Sequence, residues 1–458
     1  MVLVMLALVV PLCRSSHVRV PLQGLSSFAS IWNAPTEICM KKFRVPLDLR
    51  FFDMEGSTLS CARGQNITLF YTDRLGYYPS IHPVTGKIYN GGIPQMTNMH
   101  EHLRKAKEDL THYIPSTTRP GLAVIDWEDW RPTWIRNWAS KEVYKTMSIE
   151  FALQKDLRLS QTKAASVAKT QFEHAAKHLM LNTLRIGKSM RPRHLWGFYL
   201  FPNCQNYDYK QNPHNYTGRC PEIEILRNDG LHWLWKESTA LFPNMYLETA
   251  LRSSTNAALF SRHRIQEAKR LSKIANAAHS LPVYMYNRPV FTDDTQEYLS
   301  KVDLVHTIGE SAALGTAGFV MWGDMNLTLS KETCTNLNNF IVNTLNPYII
   351  NVTLASKLCS AALCQNNGVC TRKHWNTNTY LHLNKRNMVI GRKDGKYFVH
   401  GNPTVEDLNH FYENFECQCY TGRKCRRPSP LRHINVCIRQ NICINTNLST
   451  MSKKNSKT

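Results

Sequence analysis

Asp126 and Glu128 stand one residue apart in the stretch 121–134, GLAVIDWEDWRPTW, and their types and spacing suit acid–base chemistry. The apolar run 122–125 reads as a buried parallel strand that ends in Asp126. Side chains alternate along a strand, so both carboxyls are expected on one side, about 6.5–7 Å apart at Cα. Two carboxylates that close repel as anions, and one of them tends to keep its proton near neutral pH. A protonated carboxyl beside an ionised one is the arrangement a glycosidic leaving oxygen requires. The bland alternative is a pair that bonds Arg131 or caps a helix. Four tryptophans around the acids, Trp127, Trp130, Trp134 and Trp138, weigh against it. So do Tyr78, Tyr199, Tyr246, Tyr286 and Trp322, which fall in or just after other predicted strands. Any one such ring is more often core than ligand platform. Their recurrence at the same end of several strands predicts a carbohydrate cleft.

Strands must bring these residues together. Apolar runs predict strands at 67–71 (ITLFY), 122–126 (LAVID), 196–201 (WGFYLF), 244–247 (NMYL), 283–286 (VYMY), 305–308 (VHTI) and 319–322 (FVMW). Helix formers lie between them at 164–184, 257–275 and 295–301. Apolar strands separated by helices imply parallel strands covered by helices, an α/β fold. About 300 residues of this pattern suit a β/α barrel, whose strand C-termini carry catalytic groups, better than an open dinucleotide-binding sheet. No G-x-G-x-x-G follows the first strand and no Walker loop occurs, so a nucleotide cofactor is not expected. No metal is expected either.

The chain has 458 residues, and 56 Lys+Arg against 34 Asp+Glu give a net charge of +22. That excess suggests a polyanionic partner: nucleic acid, anionic membrane or acidic glycan. Residues 371–458 hold 16 Lys+Arg and 5 Asp+Glu, half of the excess. Residues 1–15 open on an apolar run, MVLVMLALVVPLC, that Arg14 ends. The run is shorter than the roughly 20 residues of a bilayer span but fits a short, atypical secretory signal without a basic start; a buried first element is the alternative. Asn-X-Ser/Thr sequons begin at Asn66, Asn215, Asn326, Asn351 and Asn447. They and the 14 cysteines point to an extracytoplasmic chain. No second apolar run reads as a membrane span, and the polar C-terminus lacks the tail that directs lipid anchoring. A secreted, extracellular chain is therefore expected.

Six cysteines are spaced C-x4-C-x5-C, then 46 residues, then C-x-C-x5-C. Without the insert this resembles an epidermal-growth-factor-like module, which implies the pairs Cys359–Cys370, Cys364–Cys417 and Cys419–Cys425. A zinc site is the competing reading, but short C-x2-C pairs are absent. Cys437–Cys443 and Cys204–Cys220 are expected as local pairs, and Cys39–Cys334 would close a long loop tying the ends of the larger domain. The organisation expected is a signal at 1–15, a catalytic barrel at 30–352, a disulfide-rich module at 355–443 and a polar basic tail at 444–458.

Longer motifs carry a resemblance. WNAPT (32–36), FYTDRLGYYP (70–79), DWEDWRPTW (126–134), WGFYLFP (196–202) and GESAALGTAGFVMWG (309–323) are similar to the hyaluronidases of glycoside hydrolase family 56. NPYIINVTLASKLC (346–359) and YLHLN (380–384) look closest to the mammalian sperm-type members. The resemblance implies a distorted, TIM-like β/α barrel with a long cleft. It implies an endo-β-N-acetylhexosaminidase that cuts the β-1,4 bonds of hyaluronan, with chondroitin as a lesser substrate. Glu128 matches the proton donor, and Asp126 the group that orients the acetamido nucleophile of a substrate-assisted retaining reaction. Tyr199 and Tyr246 match the tyrosines beside the acetamido group, and Trp322 the indole lining its pocket. Arg131 and Arg264 match cationic cleft residues, Tyr286 and Asp293 further cleft positions, and Tyr78 an aromatic wall. Two departures stand out: Asn203 where the family usually has Asp, and Asn244-Met245 before Tyr246 in place of Ser-Ile. The sperm-type likeness implies an acrosomal or sperm-surface location and a part in crossing the egg's hyaluronan-rich matrix. Two other function classes remain: a hyaluronan-binding adhesion protein using the same cleft, and, from charge alone, a nucleic-acid binder. Retention of the Asp126/Glu128 pair disfavours the first, and the secretory features disfavour the second.

Overall fold

A computed structural model describes residues 17–20, 22, 27–275, 279–425 and 433–447. The expected signal at 1–15 and residues 448–458 of the expected tail lie outside them. Two parallel sheets form most of a barrel. One runs in the order Tyr284–Asn287, Gly318–Trp322, Ala29–Asn33, Met54–Gly56, and the other Ile67–Phe70, Gly121–Ile125, His194–Phe198. Parallel bridges Tyr199 to Phe242, Leu241 to Val283 and Asn244 to Tyr286 join them on one side through residues 241–244. On the other side Gly56 lies against Ile67, where a Cβ would come within 2.5 Å of the Ile67 side chain and 2.8 Å of its carbonyl oxygen. Glycine is what lets the backbones close the ring there. Ile67, Leu69, Leu122, Val124 and Val320 fill the interior, while Phe70, Ala123, Ile125 and Phe319 face the helical layer. This alternation is the one a barrel strand requires.

Several local expectations change. The run 305–308 is helical, inside the continuous segment from Lys301 to Ala313. Its β-branched residues favour a strand, but Ser300 caps the helix: its Oγ accepts from the Asp303 N–H (3.2 Å) and the Asp303 carboxylate accepts from the Ser300 N–H (2.9 Å). The cap and the helix that follows override a weak local preference. For the same reason 295–301 is not a helix, which starts only at Lys301. The strand expected at 244–247 is a set of bridges at 241–244, which leaves Tyr246 just past the last paired residue.

The boundary expected between 352 and 355 falls inside the helix Asn346–Cys364. That helix ends a longer one, Lys331–Cys364, which is apolar and long enough to cross a membrane but has 78% of its apolar window buried in this fold. Cys359–Cys370, Cys364–Cys417 and Cys419–Cys425 are disulfides, as are Cys39–Cys334, Cys204–Cys220 and Cys437–Cys443. The sulfurs of Cys417, Cys419 and Cys425 lie close together, yet each is already half of an S–S bond, which leaves no thiolates there for zinc. The insert between Cys370 and Cys417 folds as a hairpin, Met388–Lys393 with Lys396–Gly401, and a helix, Val405–Asn414. The strand Ile442–Asn447 pairs with His433–Ile438, so the expected tail at 444 begins inside a hairpin.

Candidate active site

Asp126 follows Leu122 and Val124 on the inward face of its strand and so emerges at the C-terminal mouth of the barrel. Its N–H donates to the Phe70 carbonyl (2.8 Å), extending the ladder by one residue. Its Oδ1 is enclosed and has no hydrogen-bond partner among the described residues. Burial raises the Asp126 carboxyl well above the usual carboxylate range; the Glu128 charge adds to this, and Arg131 opposes it. Glu128 is exposed, its side chain 48% accessible. Arg131 donates from Nη2 to Glu128 Oε1 (3.1 Å) and from Nη1 to the Glu128 carbonyl (2.8 Å), and Lys141 Nζ donates to that carbonyl (2.5 Å). The pairing with Arg131 weighed from the sequence is thus present, and it leaves Glu128 open to a ligand.

Aromatic rings surround the pair. Tyr199 lies edge-on to Tyr286 (5.0 Å between ring centroids) and stacks on Tyr246 (6.3 Å), which stacks on Trp322 (6.0 Å). Trp322 Nε1 donates to the Tyr71 hydroxyl (3.1 Å), and Arg288 lies 5.2 Å over the Trp322 ring while bonding Asp324 (2.8 Å). Burial pushes the Tyr71 phenol up to about 12, so its hydroxyl is neutral across the physiological range. Tyr71 and Arg288 were not singled out by sequence. Tyr71 follows Ile67 and Leu69 at inward-facing spacing, and that parity was the available signal.

Other expected site residues act from behind or apart. Arg264 is buried, not a cleft-surface cation: Nε donates to Asn206 Oδ1 (2.8 Å) and Nη1 to Asn244 Oδ1 (2.8 Å), with the guanidinium 4.2 Å over Phe260. Asn244 Nδ2 in turn donates to the Tyr199 hydroxyl (3.0 Å). Arg264 therefore positions Tyr199 through Asn244, one of the positions where this chain departs from the family pattern. Tyr78 is 1% exposed and packs between Trp127 (4.8 Å) and Trp130 (5.2 Å), so it backs the loop that carries Asp126 and Glu128 and offers no free face as a wall. Its ring is core packing against two buried indoles, which alternation along the chain does not reveal. Trp134 packs on Phe172, and among the four tryptophans only Trp138 is well exposed, at 59%. Asp293 is exposed and accepts from the Thr249 N–H (2.8 Å) and hydroxyl (2.7 Å), tying two mouth loops together.

The family profile described as Hyaluronidase, glycoside hydrolase family 56, matches residues 17–429. The chain belongs to the hyaluronidase family. It is 48% identical to human hyaluronidase PH-20 over 442 residues, covering 95% of this chain and 86% of that protein. It is 51% identical to mouse hyaluronidase-5 over 423 residues, covering 92% of this chain and 80% of that protein. Bee venom hyaluronidase, solved in complex with a hyaluronic acid tetramer, superposes with a TM-score of 0.60 at 28% identity, covering 70% of this chain and 98% of that one. As a hyaluronidase the chain is a glycoside hydrolase, and its barrel is the architecture expected from sequence.

Proposed function

We propose that this hyaluronidase cleaves β-1,4 bonds within hyaluronan, and chondroitin more slowly, by substrate-assisted retention. Glu128 donates its proton to the glycosidic oxygen as the C1–O bond breaks. The carbonyl oxygen of the neighbouring acetamido group attacks C1 and closes a five-membered ring. Water then opens that ring, giving its proton to Glu128 and restoring the β-anomer. The observation that carries this reading is the enclosed, unpartnered Oδ1 of Asp126 beside the exposed Glu128. A buried acceptor without a donor is unfavourable by about 1–3 kcal/mol, and an acetamido N–H supplies the donor. Tyr199, Tyr246 and Trp322 enclose the acetamido group, and Tyr286 and Asp293 belong to the same cleft. Proton NMR of the first turnovers tests the route. The β-anomer should appear first, and N-deacetylated polymer should resist cleavage; an initial α-anomer, or equal cleavage of deacetylated polymer, overturns it.

We further place the enzyme outside the cell, with sperm passage through a hyaluronan-rich matrix as the setting its sperm-type likeness supports. Among its sequons, Asn215 and Asn326 are exposed and Asn66 and Asn351 half-buried, so glycans are expected first at Asn215 and Asn326. The side chain of Asn447 lies outside the described residues. Peptide mapping before and after glycosidase treatment reads each site.

A further inference from the structure

A groove of about 530 Å3 lies beyond the catalytic loop, between the helix Gln161–Met190 and the helix His232–Glu237. Lys177, His174 and His232 stand exposed along it, Trp233 is half-buried in its wall, and Pro132 and Thr133 form its near end. A narrower pocket shares Pro132, Thr133, Arg227 and Leu231 with the groove and reaches Arg131, the residue bonded to Glu128. That pocket holds only about 20 Å3, so the wide groove is a surface of its own on the flank of the barrel, separated from the carboxyls by Arg131, Pro132 and Thr133. Of the two acids beside it, Glu224 is buried and paired with Arg136 (3.3 Å) and with Arg227, and Glu173 turns its Oε1 inward to accept from the Trp134 N–H (2.8 Å). Asn203 also lines the narrow part, so a neutral amide occupies the position where the family resemblance led us to expect a carboxylate. The exposed Lys177, Trp233 and the exposed Leu226 remain on the surface of the groove.

We infer that this groove is a second binding track for the anionic polysaccharide, holding a stretch of the same chain remote from the bond being cut. The inference rests on the hyaluronan-cleaving reading. Carboxylates along the polymer meet Lys177, its hydroxyls meet His174 and His232 as hydrogen-bonding partners, and the apolar faces of its rings meet Trp233 and Leu226. The track lengthens the residence of long chains without touching the reacting atoms, so it acts on KM for polymer and leaves kcat alone.

The test compares wild type, Lys177→Glu with His174→Glu, and Lys169→Glu, an exposed position on the same helix outside the groove. Each is assayed on high-molecular-mass hyaluronan and on a hexasaccharide. The double variant should raise KM for the polymer roughly three- to tenfold, the range expected for reversing exposed charge contacts. Its kcat and its hexasaccharide KM should match wild type, and Lys169→Glu should behave as wild type on both substrates. An unchanged polymer KM, an equal rise on the hexasaccharide, or an equal rise in Lys169→Glu overturns the track. A second measurement, polymer affinity in a Glu128→Gln background, separates this from the parent reading. If wild type leaves hyaluronan uncut, cleavage is overturned, while the track still stands or falls on whether Lys177→Glu with His174→Glu weakens polymer binding.

Discussion

The environment of Asp126 works against stability. Its Oδ1 is buried without a donor among the described residues, and its carboxyl holds its proton more tightly in the folded chain than an exposed one does. The folded chain therefore binds more protons than the unfolded one between the unfolded and folded pKa values. This contribution to stability is present at low pH and is lost as pH rises through that window. Asp126→Asn removes the titration: it should melt above wild type at pH 7 with the difference shrinking towards about pH 4, while losing activity by about 100-fold or more. Calorimetry across pH checks the sign, and a variant that melts lower at pH 7 contradicts it. Asn244 makes a second case. It hands the Arg264 guanidinium on to the Tyr199 hydroxyl, so Asn244→Ala should reduce kcat/KM about tenfold through loss of roughly 1–1.5 kcal/mol of positioning. An unchanged kcat/KM contradicts that role. The inward placement of Asp126 was legible in sequence because a strand's parity is fixed by its backbone, but Glu128 lies beyond the strand that ends at Ile125, where that parity no longer applies; the Arg264–Asn244–Tyr199 relay was not legible, because it joins three elements through side-chain geometry.

At the scale of elements, the apolar run ending in Asp126 read correctly because a strand buried on both faces is continuous and hydrophobic. Ala29–Asn33 and Met54–Gly56 were not foreseen, since Ser30, Asn33 and Glu55 interrupt the pattern and their partners lie far along the chain. The run 305–308 misled for the opposite reason: local β-propensity was outweighed by the Ser300 cap. Ser300→Ala should therefore cost about 1 kcal/mol, read as a lower midpoint in urea. An unchanged midpoint would mean that packing alone holds this helix.

The whole molecule is locked together away from the cleft. Glu310 is fully buried between Arg262 (2.6 Å) and Arg372 (2.8 Å), with the Tyr380 hydroxyl donating to it (2.9 Å). Arg372 and Tyr380 come from the cysteine-rich segment, so this cluster joins that segment to the barrel and explains why a sequence boundary near 352 has no structural counterpart. Glu310→Gln leaves two buried guanidiniums under-compensated and should cost about 3–5 kcal/mol, visible as an earlier or two-step melt. The net charge of +22 acts at longer range, and its help in capturing a polyanion should fade as salt shortens the screening length from about 10 Å at 0.1 M to about 3 Å at 1 M. None of this substitutes for the carboxyl pair. The most direct measurement is the size distribution of hyaluronan after incubation between pH 4 and 7 with wild type and Glu128→Gln side by side. Wild type should shorten the polymer to oligosaccharides, and Glu128→Gln should do so at least about 100-fold more slowly while still binding it. Polymer that stays full length with wild type, or is cut equally well by Glu128→Gln, contradicts the assignment.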